Sequence, residues 1–240
     1  MSLYTFGCSL TDEFEKDYKK FRDKNLPDTW PKILSKLLNE ELINLGKSGS
    51  SNYSIFRNFI SVSEKINQND VLIFGWTNIL RYQFVNHLNQ LVDILPNNYN
   101  DKTLKITPSL ETHEEILLNR DSIFWVHEIL DYIKFINLFC EKINCRVHHW
   151  TSDNEITKFV YKNNSELIQK LNFIPVDELK YDDTCYVNII DYFCDPKHYD
   201  GNNVAKIIDE TNNLINDHHL GEFGHKKQAN YFFKCIKSEY

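Results

Sequence analysis

Short apolar runs alternate along the chain with longer stretches in which apolar residues recur at helical spacing. The short runs predict strands at residues 3–6, 42–45, 71–74, 146–150 and 186–190. The helical spacing predicts helices at residues 30–38, 53–66, 123–143 and 222–236. This alternation is typical of a parallel sheet covered by helices. We therefore expect an α/β fold, a three-layer α/β/α sandwich with a mainly parallel sheet of about five strands.

The chain has 240 residues, a length that fits one domain with a single large core. We interpret residues 1–240 as that one domain. Between residues 81 and 121 the periodicity loosens and turn-forming residues accumulate, as in the run from Pro96 to Asp101. We interpret this part as an insertion or a lid.

Charge and composition exclude several classes of function. The chain carries 27 Lys and Arg against 34 Asp and Glu, a formal net charge of −7, so we expect no nucleic-acid partner. Its first residues lack the pattern of a signal peptide, and no apolar run approaches the length of a membrane span. These observations predict a cytoplasmic protein without a membrane anchor.

The metal-ligating residues are scattered. Six cysteines include no Cys-x-x-Cys pair, and the adjacent histidines His148-His149 and His218-His219 lack the spacing of a zinc site. We therefore expect reduced thiols and no metal.

Small and polar residues follow the first three predicted strands. The segments are Gly7-Cys8-Ser9-Leu10, Gly46-Lys47-Ser48-Gly49 and Gly75-Trp76-Thr77-Asn78. In open α/β sheets the ligand crevice lies at the carboxyl ends of the strands. The three segments are thus expected to converge on one crevice.

Gly7-Cys8-Ser9-Leu10 resembles the GDSL block of the SGNH hydrolases, with Cys8 where that family usually has aspartate. The segment from Asp217 to His225, ahead of the last predicted helix, is similar to the family's last block. The resemblance implies the flavodoxin-like SGNH fold, Ser9 as nucleophile, His219 as base and Asp217 as the acid that orients the histidine. It also implies that no cofactor takes part. The family spaces these residues Asp-x-x-His, whereas this chain has Asp-x-His, and Asp217 could instead cap the following helix.

The resemblance also implies an oxyanion hole made by the backbone N–H groups of Ser9 and Gly49 and by the side-chain amide of Asn78. Here the third block is Gly-x-x-Asn where the family has Gly-x-Asn-Asp, and capping of a helix that begins at Ile79 is the alternative role of Asn78. Trp76 and Arg81 follow the same strand and are candidates for substrate binding. For Trp76 the alternative is a place in the core, and for Arg81 it is pairing with a surface acid.

An imidazole beside a serine hydroxyl accepts its proton and makes it a nucleophile. With this chemistry, the resemblance implies a serine esterase that acts through an acyl-enzyme on Ser9, with carbohydrate O-acetyl esters, lipids or aryl esters as candidate substrates. We expect a small acyl ester, such as a carbohydrate O-acetyl group, because the sequence has no large apolar lid pattern suited to a lipid. Two alternatives stay open: an inactive binding module of the same fold, and an acyltransferase that passes the acyl group to a sugar. Hydrolysis that is lost in Ser9→Ala excludes the first, and acylation of an acceptor sugar favours the second.

Overall fold

The computed structural model describes residues 1–12, 28–85, 89–94, 115–116, 122–153, 156–157, 159–160, 169–174, 204–208, 214–220 and 222–238. At residue 122 and at the described positions between 204 and 223, only the backbone is described.

Four helices and eight strands are described within these ranges. The helices are α1 (Trp30–Leu38), α2 (Asn52–Val62), α3 (Ser122–Ile143) and α4 (Glu222–Ser238), and a 3-10 turn at Ser63–Lys65 extends α2. The strands are β1 (Ser2–Phe6), β2 (Glu41–Asn44), β3 (Val71–Trp76), β4 (Tyr82–Val85), β5 (Leu91–Ile94), β6 (Arg146–Thr151), β7 (Val204–Ile208) and β8 (Leu214–Leu220).

Strands β1, β2, β3 and β6 form a parallel sheet in the order β2-β1-β3-β6. Beyond β6 the sheet continues as a single parallel bridge between His149 and Phe173. The expected α/β class with a mainly parallel sheet is thereby confirmed, with four strands in the described part. The strand expected at residues 186–190 lies outside the described residues.

The two faces of the sheet have separate apolar cores. Leu72 and Phe74 of β3 pack toward α2 and α3, whereas Val71 and Ile73 pack toward α1 and α4. Because successive residues of a strand point to opposite faces, a strand covered on both sides is apolar throughout. This explains the uninterrupted apolar run at residues 71–74 and gives the three layers.

Two antiparallel hairpins lie outside this sheet. One joins β4 to β5, in the region interpreted as an insertion or lid, and contacts α2. The other pairs β7 with β8, and the register of this pairing shifts between Val204 and Lys206. Strand β8 ends at Leu220, and α4 begins at Glu222. No helix in the described part of the chain is long and apolar enough to cross a membrane.

Candidate active site

Ser9 lies in a tight turn at the carboxyl end of β1, the strand between β2 and β3. We call residues 8–12 the serine turn. The carbonyl oxygen of Cys8 accepts hydrogen bonds from the N–H groups of Thr11 (2.9 Å) and Asp12 (3.0 Å), which curls the backbone like the first turn of a helix. A Cβ on Gly7 would lie 2.2 Å from Thr11 Oγ1, so only glycine allows this close return. The side chain of Ser9 is half-buried.

The segment after β2, residues 46–49, lies against the serine turn, and we call it the glycine loop. The N–H of Lys47 donates to Gly7 O at 3.0 Å, and the N–H of Ser48 donates to Asp12 Oδ2 at 2.8 Å. A Cβ on Gly46 would lie 2.8 Å from the carbonyl carbon of Thr11. The close approach at Gly46 and the two hydrogen bonds thus hold the two segments together.

Asn44, the last residue of β2, joins both segments to the sheet. Its Oδ1 accepts from Thr5 Oγ1 and from the N–H of Gly46, each at 2.9 Å, and its Nδ2 donates to Thr11 O at 2.8 Å. Asn44 and Asp12 therefore fix the site, yet our sequence analysis missed both. An asparagine at the end of a strand, two residues before a glycine, is the signal that could have identified Asn44.

Gly49 has a φ angle of +80°, a left-handed backbone conformation that residues with a side chain rarely adopt. No atom lies within 4 Å of the position its Cβ would take, so backbone conformation rather than space requires glycine here. The next residues lead into α2, whose N-cap is Ser51 with its side chain accepting from the N–H of Ser54. The carboxylate of Asp93, from β5, accepts from the N–H and the Oγ of Ser51 and from Ser54 Oγ. The hairpin β4–β5 is thus tied to the start of α2.

Asn78 lies in the segment after β3, residues 77–81, which we call the asparagine turn. Asn78 is exposed, and its Oδ1 accepts from the N–H of Leu80 at 2.8 Å while its backbone oxygen accepts from Arg81 at 3.2 Å. The side chain therefore caps a turn, close to the capping alternative in the sequence analysis, although no helix follows. This bond uses the amide oxygen, and Nδ2 is the atom that would serve an oxyanion.

The two candidates for substrate binding have different environments. Trp76 is fully buried, and its Nε1 donates to His149 Nδ1 at 3.1 Å. It belongs to the core beneath the site, where no part of its side chain is accessible. Arg81 is half-buried, and its Nη1 donates to Ser50 O at 3.3 Å, beside the glycine loop.

Arg81 also lines a cavity of about 300 Å³ between the hairpin β4–β5, α2 and α3. Its walls combine aromatic side chains, such as those of Tyr53 and Tyr132, with the polar groups of Gln83 and Glu128. Mixed walls of this kind suit a small ligand with both apolar and hydrogen-bonding parts.

The adjacent histidines of β6 are structural. Because His149 Nδ1 accepts from Trp76, its Nε2 carries the proton and donates to Asn137 Oδ1 at 3.0 Å. Burial lowers the pKa of His149 to about 3, and the neighbouring His148 adds to the effect. Burial likewise lowers the pKa of His148 to about 4, with a further contribution from Arg146. Both rings are therefore neutral near pH 7. Among the described residues, no group of three or more His, Cys, Asp or Glu could hold a metal ion.

Asp217 and His219 lie in β8, and their side chains fall outside the described part of the chain. The helix that follows them is linked to the serine turn through Trp30. The backbone N–H of Trp30 donates to His225 Nδ1, in α4, at 3.2 Å, while its Nε1 donates to Leu10 O at 2.8 Å. Trp30 thus connects α4, which begins three residues after His219, with the turn that carries Ser9, through its backbone N–H on one side and its indole on the other.

No protein-family model matches the sequence, and no curated protein matches it. Solved structures, in contrast, do match this chain. A protein described as a lipolytic protein of the G-D-S-L family, from Desulfitobacterium hafniense DCB-2, matches with a TM-score of 0.51 and 12% identity over 98% of each chain. This chain has the SGNH fold.

Two further structures have lower TM-scores. One is a GDSL-like lipase from Parabacteroides merdae, with a TM-score of 0.44 and 12% identity over 98% of this chain and 95% of that one. The other is the YxiM protein of Bacillus subtilis, with a TM-score of 0.47 and 13% identity over 100% of this chain and 56% of that one. The expected SGNH fold is confirmed by the likeness to the Desulfitobacterium hafniense protein alone. Within this SGNH fold, the serine turn, the glycine loop and the asparagine turn follow the adjacent strands β1, β2 and β3 at one edge of the sheet.

Proposed function

We propose that this protein is an SGNH-type ester hydrolase in which Ser9 is the nucleophile. The observation that carries the proposal is the position of Ser9, in a tight turn at the carboxyl end of β1 and hydrogen-bonded through its neighbours to the loop of Gly49. In doubly wound sheets of order 2-1-3, the crevice between β1 and β3 is where ligands bind. The chain thus has a hydroxyl at the place where the fold binds its substrates.

In the proposed reaction, Ser9 Oγ attacks the ester carbonyl while His219 accepts its proton. The alcohol leaves with that proton, and water activated by His219 then releases the acid from the acyl-enzyme. Asp217 would hold the imidazole in the tautomer that accepts the proton. The link from the serine turn through Trp30 to α4 supports this arrangement, because it ties the segment after His219 to the nucleophile.

The tetrahedral intermediate carries negative charge on the former carbonyl oxygen. The backbone N–H groups of Ser9 and Gly49 and the amide of Asn78 are the proposed donors, and each is worth about 3 to 4 kcal/mol in sites of this kind. The left-handed turn at Gly49 supports this role, since a residue without a side chain leaves room for the substrate there.

The cavity lined by Ile79 and Arg81 of the asparagine turn adjoins Asn78, although Ser9, Gly49 and Asn78 do not line it themselves. We assign it to the part of a small ester substrate that extends beyond the reacting carbonyl. Its volume of about 300 Å³ suits a short acyl group or a single sugar ring, and its aromatic and polar walls suit a carbohydrate O-acetyl ester. Arg81 would bind the polar part of the substrate. Arg81→Met keeps the length of the side chain and removes its charge, so it should raise KM more than it lowers kcat.

The proposal is tested by turnover of p-nitrophenyl acetate together with intact-mass detection of a fluorophosphonate adduct. Turnover and labelling should both be lost in Ser9→Ala, and turnover should be lost in His219→Ala. Two control variants should keep both turnover and labelling. They are Ser61→Ala, which changes an exposed serine of α2, and His218→Ala. A wild type that is folded but neither turns over nor labels would instead favour the binding module. Acylation of an added sugar at the expense of acetate release would favour the acyltransferase.

A further inference from the structure

Helix α3 ends in a Schellman motif that pairs two cysteines. The N–H of Cys145 donates to Cys140 O at 3.0 Å, and the N–H of Asn144 donates to Glu141 O at 3.2 Å, with Asn144 in the left-handed conformation (φ 58). In this motif the side chains at the positions of Cys140 and Cys145 usually contact one another. Both cysteines are free thiols in the structure.

The two thiols differ in their access to solvent. Cys140 is 1% exposed, whereas Cys145 is half-buried. Both line a cavity of about 350 Å³, together with the cationic side chains of Arg146 and Lys170 and the carboxylate of Glu141. A dissolved reagent therefore reaches Cys145 first, and Cys140 lies behind it.

Electrostatics favour the same order of reaction. Side-chain hydrogen bonding with the Cys140 thiol lowers the pKa of Cys145, although burial and the carboxylate of Asp70 act in the opposite direction. The same interaction, together with burial, raises the pKa of Cys140. Because the thiolate is the reactive form, Cys145 is the nucleophile of the pair.

We propose that Cys140 and Cys145 are a dithiol–disulfide pair that exchanges with small anionic disulfides such as oxidised glutathione. The Cys145 thiolate attacks one sulfur of the oxidised glutathione, which forms a mixed disulfide and releases one glutathione thiolate. Cys140 then loses its proton to solvent and attacks the Cys145 sulfur, which closes the protein disulfide and releases the second glutathione. Two electrons pass from the protein thiols to the reagent.

The backbone suits the product. A disulfide needs Cα atoms about 4.4 to 6.8 Å apart, and the hydrogen bond between Cys145 N and Cys140 O holds these residues side by side. The pair lies at the amino end of β6, whereas Ser9 lies beyond the carboxyl end of β1 in the same parallel sheet. Its chemistry is therefore independent of the proposed ester hydrolysis and is measured separately.

The test uses the full chain, reduced and then incubated with oxidised glutathione, followed by blocking of free thiols and digestion with trypsin. Trypsin cleaves after Lys134, Lys142 and Arg146, so residues 135–142 and 143–146 form separate peptides that only a disulfide joins. We expect the joined peptides in the wild type and their loss on reduction. In Cys140→Ser a glutathione should remain on Cys145, and in Cys145→Ser residue Cys140 should stay reduced.

Cys235→Ser, a change in α4, is the matched control and should leave the joined peptides unchanged. Circular dichroism checks that each variant is folded. The proposal is overturned if the folded wild type yields no joined peptides, or if glutathione stays on Cys145 in the wild type as it does in Cys140→Ser.

Discussion

Asn52 and Thr77 are joined by two hydrogen bonds, from Asn52 Nδ2 to Thr77 O at 2.9 Å and from Thr77 N to Asn52 Oδ1 at 2.8 Å. Both residues are buried. Asn52 is the first residue of α2, and Thr77 directly precedes Asn78. One side chain therefore sets the position of the asparagine turn relative to the helix that follows the glycine loop.

Asn52→Asp should impair both stability and catalysis. The substitution keeps the size and one acceptor but removes the donor to Thr77 O, leaving two oxygens face to face. We expect a loss of about 1 to 3 kcal/mol in the free energy of unfolding and a fall in kcat on the order of tenfold or more through misplacement of Asn78. Urea unfolding and ester turnover measure the two effects.

Asn58→Asp is the comparison for that variant, because it makes the same exchange on the same helix, where Nδ2 donates to Leu45 O at 3.3 Å. Its kcat should stay close to that of the wild type. Equal losses of kcat in the two variants would contradict the role given to Asn52.

Trp30→Phe should slow the reaction of Ser9 by releasing the carbonyl of Leu10 in the serine turn. The loss of one N–H···O bond costs about 1 kcal/mol of stability, in addition to the cost of the smaller ring. Trp150→Phe is a matched control, since Trp150 lies in the same core cluster and, among the described residues, its Nε1 has no hydrogen-bond partner. The rate of fluorophosphonate labelling should fall in Trp30→Phe alone, and equal rates would show that the Leu10 bond does not position Ser9.

Much of the fold follows from periodicity. The helix expected at residues 30–38 has those bounds in the structure, because its apolar spacing is regular and Asn39 takes the left-handed conformation that ends it. Strand β8 was not expected, since its sequence LINDHHL is largely polar and its partner β7 is identified only by the fold. The hairpin β4–β5 was likewise not expected, because it lies where the apolar periodicity loosens and turn-forming residues accumulate, between residues 81 and 121.

The site was predictable as far as strand ends define it. Ser9, Gly49 and Asn78 follow β1, β2 and β3, as the sequence indicated. Trp76, in contrast, does not follow β3 but belongs to it, because the strand runs two residues past Phe74. Trp76 therefore lies on the same face as Leu72 and Phe74, in the core. The bonds of Asp12, Asn44 and Asn52 join residues far apart in sequence, and no local pattern encodes such contacts.

Gly49→Ala should destabilise the protein by strain alone. The left-handed conformation costs an ordinary residue about 1 to 2 kcal/mol, and nothing lies close enough to a new Cβ to add a clash. Gly49→Asn should cost less, because asparagine enters this region readily and the chain already uses it so at Asn39, Asn69, Asn89, Asn144 and Asn172. Urea unfolding should thus rank wild type, Gly49→Asn and Gly49→Ala in decreasing stability. Equal stability of the three would mean that Gly49 does not keep its positive φ in solution.

Because the histidines of β6 are buried, we expect the free energy of unfolding to fall as the pH is lowered from about 6.5. Burial lowers the pKa of His148 to about 4 and that of His149 to about 3 in the folded protein, whereas both titrate near 6.5 when unfolded. Between these values the unfolded chain binds more protons, so the free energy of unfolding rises with pH, by up to about 1.4 kcal/mol per pH unit for each histidine. Urea unfolding at pH 7, 6 and 5 measures this slope.

His149→Gln removes one of the two titrations while it keeps a donor and an acceptor for Asn137 and Trp76. The slope of its unfolding free energy against pH should therefore be smaller than that of the wild type, whatever its absolute stability. Exposed His127 is the control, and His127→Gln should keep the full slope. A wild-type slope unchanged in His149→Gln would show that this histidine is not buried in its neutral form.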